Sequence, residues 1–267
     1  MEQVGTPRST PARWRLFITP PADGSWNMAG DQALLDRAQT SGECVVRLYE
    51  WSHPTLSLGR NQPARAHYDR DRARALGVDI VRRPTGGRAI LHHRELTYSV
   101  TGPTALLGTL RESYARINHL VLTALHVLGV EATVAARRGR AQAPGLTPCF
   151  DAPGEGELVV GSRKLVGSAQ WREGDALLQH GSILVDDDQA IASALLVVPG
   201  PTPPPAASLR ALLGHPPPVT DLAAAIQRAI VTLEDPDASP LVMDAALERR
   251  IAGARTHFLD EHWTWRR

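Results

Sequence analysis

Residues 147–183 read TPCFDAPGEGELVVGSRKLVGSAQWREGDALLQHGSI, and this stretch decides the predicted fold. Apolar runs on both sides of Gly161–Ser162 predict two strands joined by a tight hairpin turn, and the run that begins at residue 176 predicts a third strand. Strands also follow one another directly earlier in the chain, with predicted helices around them. This order favours an α+β fold over a doubly wound parallel sheet.

The same stretch contains Cys149 and, fifteen residues later, Lys164, which is the only lysine among the 29 lysines and arginines of the chain. Because arginine supplies nearly every other positive charge, this lysine is expected to do something that a guanidinium cannot. An ammonium is a compact charge whose pKa shifts readily, whereas a guanidinium is a planar fork that stays charged. A cationic neighbour favours a thiolate, so Cys149 and Lys164 form a candidate catalytic pair.

Several interpretations of the cysteines stay open at this point. An isolated cysteine is usually a small buried hydrophobic residue, and we predict this for Cys44, which two valines follow in a predicted strand. Cys149 lies in neither a predicted helix nor a predicted strand, so both a structural and a catalytic role are open. His180 could serve as the base of a Cys–His protease, but no protease-type motif surrounds Cys149. Nothing in the sequence favours a disulfide between Cys44 and Cys149.

Composition narrows the class of protein. The chain has 267 residues, a net charge of +1 and two cysteines. It has no long basic run, so no nucleic-acid partner is predicted. It also lacks an apolar run of about 20 residues and a secretory signal, so we predict no membrane span. Two cysteines without a disulfide framework fit a reducing cytoplasm, which is the predicted location.

Hydrophobic patterning predicts the order of the elements. We expect a flexible tail over residues 1–13 and one domain over 14–267. The predicted strands are a first strand from Trp14, two strands over 44–51 and 55–59 that form a hairpin, a strand over 78–83 and two strands within 89–102. The predicted helices are one over 26–39 capped by Ser25, one over 63–76, one over 106–128 ended by Gly129, one after Thr220 and one over about 240–256. The proline-dense segment 199–218 is predicted to be a surface connection outside the core.

Residues 82–88 read RRPTGGR and are predicted to form a loop rich in glycine and arginine. Gly86 and Gly87 let the backbone turn and approach a ligand, and Arg83 and Arg88 flank them. The loop could bind an anion or an acyl group, or it could be an ordinary tight turn with solvated arginines. His92 and His93 follow, and adjacent residues of a strand point to opposite faces, so they cannot chelate one metal ion together. We predict neither a metal site nor a cofactor.

Four motifs in order give a specific resemblance over nearly the whole chain. They are RRPTGGRAILHHRELTYSV (82–100), CFDAP (149–153), ELVVGSRKLVGSAQ (157–170) and LQHGSILVD (178–186), and WNMAGDQALL (26–35) and SLGRNQ (57–62) also fit the pattern. Together they resemble the biotin/lipoate ligase–transferase superfamily, and within it the octanoyltransferases. The resemblance implies a catalytic module with a mixed β-sheet flanked by helices.

The resemblance also implies a reaction and its residues. Octanoyl would pass from acyl carrier protein to the thiol of Cys149, and then to a lysine of a lipoyl domain such as the glycine cleavage H protein. Lys164 would stabilise the thiolate of Cys149. The residues implied to line the acyl pocket are Arg83, Gly86, Gly87, Arg88, His92, Gly167, Ser168, His180 and Gly181.

Three other functions remain open beside this one. An ATP-dependent lipoate–protein ligase shares the fold and the lysine, although ligases usually have a third glycine where this chain has Arg88. A second relative moves octanoyl from one lipoyl domain to another. A binding protein could have kept the pocket and lost catalysis. The family commonly has Asp where His93 stands, so hydrogen bonding at the pocket is expected to differ here. It also commonly has an acidic residue where Gln32 stands, and this change is expected to be peripheral.

Overall fold

A computed structural model describes residues 12–136, 154–198 and 204–267. The strands in these ranges are β1 (Arg13–Ile18), β2 (Glu43–Tyr49), β3 (Thr55–Leu58), β4 (Asp79–Arg82), β5 (Ile90–His92), β6 (Glu95–Pro103), β7 (Thr133–Val134), β8 (Leu158–Val160), β9 (Arg163–Glu173), β10 (Ala176–Leu184) and β11 (Ser239–Pro240). The helices are α1 (Gly24–Ser41), α2 (Arg70–Ala75), α3 (Thr104–Leu107), α4 (Leu110–Val127), α5 (Ala190–Ala194), α6 (Leu209–Leu213), α7 (Val219–Leu233), α8 (Ala245–Leu259) and α9 (Glu261–Thr264).

Two sheets organise the described residues. The larger has eight strands in the order β11-β1-β2-β6-β10-β9-β8-β7, and the smaller has three in the order β4-β3-β5. In the larger sheet β1 runs parallel to β11 and β2, whereas β2, β6, β10, β9, β8 and β7 pair antiparallel in turn. The sheet is therefore mixed, as the sequence predicts.

Helices cover both faces of the larger sheet. On one face α4 and α7 pack against residues such as Val46 and Val100, and on the other α1 and α8 pack against Val45 and Tyr49. Adjacent residues of one strand thus enter different cores, because side chains of a strand alternate between faces. All nine residues of β10 are buried for this reason. The predicted arrangement of a mixed sheet flanked by helices is confirmed.

The predicted hairpin of residues 44–51 and 55–59 is wrong. β2 pairs with β1 along one edge and with β6 along the other, so it has no free edge for β3. β3 instead pairs parallel with β4 and antiparallel with β5 in the smaller sheet. The hairpin predicted at Gly161–Ser162 is confirmed, since Val160 pairs with Arg163 across that turn.

Several predicted helix ends also differ. Asp23, not Ser25, caps α1, because the Asp23 carboxylate accepts a hydrogen bond from the Trp26 amide and another from the Ser25 hydroxyl. α7 begins at Val219 after Pro218 and has no side-chain cap, so the predicted cap at Thr220 is wrong. The helix predicted over 63–76 is limited to α2, and α8 begins later than predicted. β1 begins at Arg13, inside the predicted tail, and residues 1–11 lie outside the described residues.

The helix predicted over 106–128 is confirmed in its main part. It is α4, and Thr109 caps it in a reciprocal pair of hydrogen bonds with Glu112. Gly129 follows its last turn with φ +80°, a conformation that glycine adopts without steric cost. The residues before Thr109 form the separate short helix α3.

The proline-dense segment is partly core, contrary to the prediction. Ala207 and Leu209 are fully buried within the cluster that contains α4 and α7. The Ala207 amide donates a hydrogen bond of 2.9 Å to the Lys164 carbonyl, which fixes the segment against β9. Residues 199–203 of the segment lie outside the described residues. Among the described helices, none is both long and apolar enough to span a membrane.

Candidate functional site

A cavity lies between the centre of the larger sheet and the smaller sheet. Its empty space, counted together with its opening to solvent, is about 430 Å³. Met28, Tyr49 and Thr97 are almost fully buried and form its floor, whereas Gly87 is exposed and marks its mouth. Ligand would therefore enter beside the glycine loop and extend toward α1.

Most of the residues predicted to bind substrate line this cavity. They are Arg83, Gly87, His92, Gly167, Ser168, His180 and Gly181. The cavity is further lined by residues that sequence reasoning missed, namely Met28, Tyr49, Ile90, Thr97, Ala169 and Ser182. Gly86 and Arg88 belong to the same loop but are not among the lining residues. The Gly86 carbonyl and the Arg88 carbonyl both accept hydrogen bonds from Arg83 instead.

Arg83 connects the glycine loop to strand β3 through hydrogen bonds. Its guanidinium donates to the Gly86 carbonyl (2.8 Å), to the Arg88 carbonyl (2.7 Å) and to the Ser57 carbonyl (2.8 Å). It is 4% exposed, so this arginine is not one of the solvated surface charges considered above. A guanidinium can brace a loop in this way because its five N–H donors have a fixed geometry.

The glycine loop also packs tightly against the segment that precedes it. A Cβ atom on Gly59 would lie 1.9 Å from the Gly87 carbonyl oxygen, so no other residue fits at position 59 without moving the loop. The Arg60 amide donates a hydrogen bond of 2.8 Å to the Thr85 carbonyl. The motif SLGRNQ therefore helps to shape the cavity mouth, although no residue of it was predicted as a site residue.

A buried carboxylate on α1 fixes His180. Asp31 is fully buried and accepts hydrogen bonds from Arg47 (2.9 Å), Tyr49 (2.9 Å) and the His180 ring (Nδ1, 3.0 Å). The other ring nitrogen of His180 lies 2.6 Å from the Thr85 hydroxyl. This chain of contacts joins the floor of the cavity to the glycine loop.

The charge of Asp31 is stabilised in the folded state. Burial alone would raise the pKa of this carboxyl, but the hydrogen bond from His180 and the charge of Arg47 more than offset burial, so the pKa lies below its ordinary value. Asp31 lies within the motif WNMAGDQALL, which also contains Asn27 and Gln32 and gives no sign of the side chains that meet at Asp31.

His92 belongs to a second buried network on the opposite wall. Its Nδ1 lies 3.1 Å from Glu95 and its Nε2 lies 2.8 Å from the Ser57 hydroxyl. The ring stacks on Trp51 with centroids 4.1 Å apart. Burial lowers the pKa of His92, and Glu95 only partly opposes this. A neutral ring with both nitrogens engaged gives a fixed wall.

The predicted catalytic lysine lies near the start of β9, as expected. Lys164 is 2% exposed, and its Nζ donates a hydrogen bond of 2.6 Å to Glu157. The other oxygen of Glu157 accepts from the Gly154 amide at 2.5 Å. Gly167, the first cavity-lining residue on the same strand, follows Lys164 by three residues, or about 10 Å along the strand.

Only one of the two cysteines lies in the part of the chain that the structure describes. Cys149 lies outside the described residues, so its predicted approach to Lys164 stays a prediction. Cys44 is fully buried, as predicted, and burial raises the pKa of its thiol to about 12. Such a thiol is inert as a nucleophile at neutral pH.

The two departures from the family pattern have local partners. His93 points away from His92 and lies 2.7 Å from Asp188 through Nδ1, outside the cavity. Gln32 donates to Asp36 on the same helix, also away from the cavity. Within the described ranges no group of three or more His, Cys, Asp and Glu side chains could hold a metal ion.

Comparisons with known proteins show the family of this chain. Residues 23–231 match the family described as the lipoyl protein ligase A/B catalytic domain. The chain is 45% identical over 179 residues to the Octanoyltransferase LipM of Carboxydothermus hydrogenoformans, with 66% of each chain covered. It is 43% identical over 195 residues to the Octanoyltransferase LipM of Kyrpidia tusciae, with 70% of this chain and 71% of that one covered. The matches span about two thirds of the length of these curated relatives.

A solved structure shows the same fold. The crystal structure of lipoate-protein ligase A bound with ATP superposes with a TM-score of 0.78 at 21% identity, and the match covers 96% of this chain and 99% of that one. The predicted α+β fold of the biotin/lipoate ligase type is therefore confirmed. The match to residues 23–231 confirms the resemblance inferred from the motifs, and the chain belongs to the lipoyl protein ligase A/B catalytic domain family.

Proposed function

We propose that this protein is an octanoyltransferase of protein lipoylation. It takes octanoyl from acyl carrier protein, holds it on Cys149 and delivers it to a lysine of a lipoyl domain such as the glycine cleavage H protein. The names of the curated relatives support octanoyl transfer, and the family description supports a lipoyl-domain acceptor. The proposed location is the cytoplasm, where a catalytic thiol stays reduced.

The first half-reaction forms the acyl-enzyme. The Cys149 thiolate attacks the thioester carbonyl, a new sulfur–carbon bond forms, and the bond to the carrier sulfur breaks. The carrier leaves as a thiolate that takes up a proton from solvent. The ammonium of Lys164 stabilises the attacking thiolate, because an opposite charge nearby favours the ionised form.

The second half-reaction forms the amide. The neutral amine of the acceptor lysine attacks the S-octanoyl carbonyl, a nitrogen–carbon bond forms, and the Cys149 thiolate is regenerated as the leaving group. The nitrogen loses a proton to solvent. No ATP is used, because the energy of the thioester drives amide formation.

The observation that carries the proposal is that the only lysine of the chain lies on a strand that also lines the cavity. β9 carries both the buried Lys164 and the lining residues Gly167 and Ser168. The floor of Met28 and Tyr49 offers apolar surface for an acyl chain. Glu157 keeps Lys164 in its buried position through the 2.6 Å hydrogen bond.

Intact-mass measurement tests the proposal. The protein is incubated with octanoyl-acyl carrier protein, and we expect the mass of one octanoyl group on the wild type, its removal by hydroxylamine, and no adduct on Cys149→Ala. An adduct only with ATP and free octanoate would favour a ligase. An adduct acquired only from an octanoylated lipoyl domain would favour transfer between lipoyl domains, and no adduct from any donor would favour a binding role.

A further inference from the structure

Four arginines gather behind the glycine loop at the mouth of the cavity. We define this arginine cluster as Arg60, Arg82, Arg266 and Arg267. Its position follows from backbone contacts, because the Arg60 amide bonds to Thr85 in the loop and the preceding Gly59 packs against the Gly87 carbonyl. A charged group in this cluster therefore lies beside the path of any ligand that enters the cavity.

Arg60 is held by aromatic rings rather than by a carboxylate. Its guanidinium lies 3.9 Å from the centroid of Trp171 and 5.5 Å from that of Trp263. Over residues 12–136, 154–198 and 204–267, this guanidinium makes no hydrogen bond and no ion pair, although Arg60 is half-buried. Stacking on a ring fixes the plane of a guanidinium. Its N–H donors point outward in that plane, so they stay available to bind an oxyanion such as a carboxylate or a phosphate.

Two other members of the cluster, Arg82 and Arg266, have structural partners for their side chains. Arg82 donates to the carbonyls of Thr264 (2.8 Å), Gly59 (2.6 Å) and Gln62 (2.8 Å). Arg266 donates to the carbonyl of Arg60 and stacks on Trp263 at 3.9 Å. These two arginines donate hydrogen bonds that hold the loop and the C-terminal residues together, whereas the Arg60 guanidinium packs on indole rings and donates no hydrogen bond within the described ranges.

In the described part of the chain, none of the four arginines forms an ion pair with a carboxylate, so their positive charges repel one another. Burial and the charges of Arg266 and Arg267 lower the pKa of Arg82 to about 10. Burial and the charge of Arg60 likewise lower the pKa of Arg266. The Asp260 carboxylate interacts electrostatically with His257, and the Glu261 carboxylate forms an ion pair with Arg70, outside the cluster. A positive potential of this kind attracts anions and weakens as ionic strength rises.

We propose that Arg60 binds the phosphate of the acyl donor's phosphopantetheine arm at the mouth of the cavity. The inference rests on the proposed transfer from a carrier-bound thioester. That arm carries its thioester at one end and a single phosphate at the other, so a cation outside the cavity can hold the phosphate while the acyl chain enters. The paired N–H donors of a guanidinium match two phosphate oxygens.

Two donors that differ only in the phosphate test this inference. Octanoyl-phosphopantetheine and octanoyl-pantetheine are each mixed with the full-length protein, and the release of the free thiol is followed by chromatography. We expect the wild type at low ionic strength to react about tenfold faster with the phosphorylated donor, which corresponds to roughly 1.4 kcal/mol. Arg60→Gln should reduce this ratio to near one, and 0.5 M salt should reduce it in the wild type. Arg74→Gln, an exposed arginine on α2, is the matched control and should keep the ratio.

Each outcome separates this inference from the proposed function. A ratio near one in the wild type, or a ratio that survives in Arg60→Gln, overturns the phosphate site while leaving acyl transfer intact. A ratio kept in Arg60→Lys with a slower rate supports a charge contact. If neither donor acylates the protein, acyl transfer fails, and calorimetry with phosphopantetheine and pantetheine decides the site. Tighter binding of the phosphorylated compound by the wild type only would support it, and equal binding would overturn it.

Discussion

Lys164 donates a hydrogen bond from Nζ to Glu157 across 2.6 Å, and both side chains are buried. Burial without a counter-charge would favour the neutral amine, whereas a carboxylate at this distance favours the ammonium. Glu157 also accepts the Gly154 amide, the first described residue after the segment that contains Cys149. The Lys164–Glu157 pair therefore links the only lysine of the chain to the residue that follows the segment containing Cys149.

Glu157→Gln should raise the pKa of Cys149. The amide keeps the size of the side chain and an acceptor for Gly154, but it removes the counter-charge of the buried ammonium. The ammonium of Lys164 then loses its charge-assisted hydrogen bond to the carboxylate, is held less firmly, and should stabilise the thiolate less. We expect alkylation of Cys149 by iodoacetamide at pH 7 to slow about tenfold, which corresponds to one pKa unit. The measurement is alkylation rate against pH, read at Cys149 by mass spectrometry.

Glu131→Gln is the matched control for this variant, because Glu131 is an exposed glutamate after α4. It should leave the alkylation profile unchanged. If the alkylation profile of Glu157→Gln moved to lower pH, the Glu157 carboxylate would raise the pKa of Cys149 in the wild type. Our assignment of Glu157 would then be wrong.

Lys164→Arg should impair acyl transfer although it conserves the charge. The lysine is 2% exposed beside Glu157, and a larger planar guanidinium cannot occupy the same space without displacing its neighbours. A displacement of about 1 Å at a reacting centre costs on the order of 100-fold in rate. The rate of acyl-enzyme formation checks this, with circular dichroism to confirm folding. Full activity would contradict a special role for the ammonium.

Asp31→Asn should destabilise the fold more than any surface change on the same helix. It leaves the fully buried Arg47 without its counter-ion, which costs about 3–5 kcal/mol. Asp36→Asn, a partly exposed position on α1, should cost less than about 0.5 kcal/mol. Urea unfolding of both variants and the wild type gives the two differences.

The difference in stability between the wild type and Asp31→Asn should depend on pH. The pKa of Asp31 is lower in the folded protein than its ordinary 3.8, so the unfolded chain takes up the proton first. The stabilisation is fully present above about pH 5 and declines as the pH falls through the ordinary and then the lowered value. A wild-type advantage over Asp31→Asn that grows on acidification would contradict the ionised form of Asp31.

Cys44→Ser should lower stability without lowering turnover. Cys44 is fully buried among apolar residues, and a hydroxyl placed there without a partner costs about 1–3 kcal/mol. Turnover at 25 °C by the folded fraction should equal that of the wild type, since the Cys44 thiol has a pKa of about 12. Loss of acyl-enzyme by a folded Cys44→Ser protein would mean that the second thiol takes part.

Local sequence signals predicted the parts of the fold that depend on local contacts. The stripe of α4, the turn at Gly161–Ser162 and the buried Cys44 all follow from periodicity or turn chemistry within a few residues. The hairpin of β2 and β3 was predicted wrongly because strand pairing depends on which edges are free, and β6 takes the second edge of β2 from a distance in sequence.

Some residues of the candidate site were also predicted from the sequence, and others were not. The resemblance identified seven lining residues through three motifs, which are the glycine loop, the lysine motif and LQHGSILVD. Asp31 was missed because a single aspartate in an apolar helix gives no sign that Arg47, Tyr49 and His180 converge on it. The role of Arg60 was hidden for a similar reason, since its two indole partners lie more than 100 residues away in sequence.

A single-turnover chase tests acyl relay through the enzyme most directly. The octanoylated protein, freed of donor and ATP, is mixed with an unmodified lipoyl domain, and both masses are followed with time. We predict that the enzyme loses one octanoyl group at the rate at which the domain gains one on its lysine, as a hydroxylamine-resistant amide. An octanoyl-enzyme that persists, or a domain that is modified only when ATP and free octanoate are added, would contradict the account.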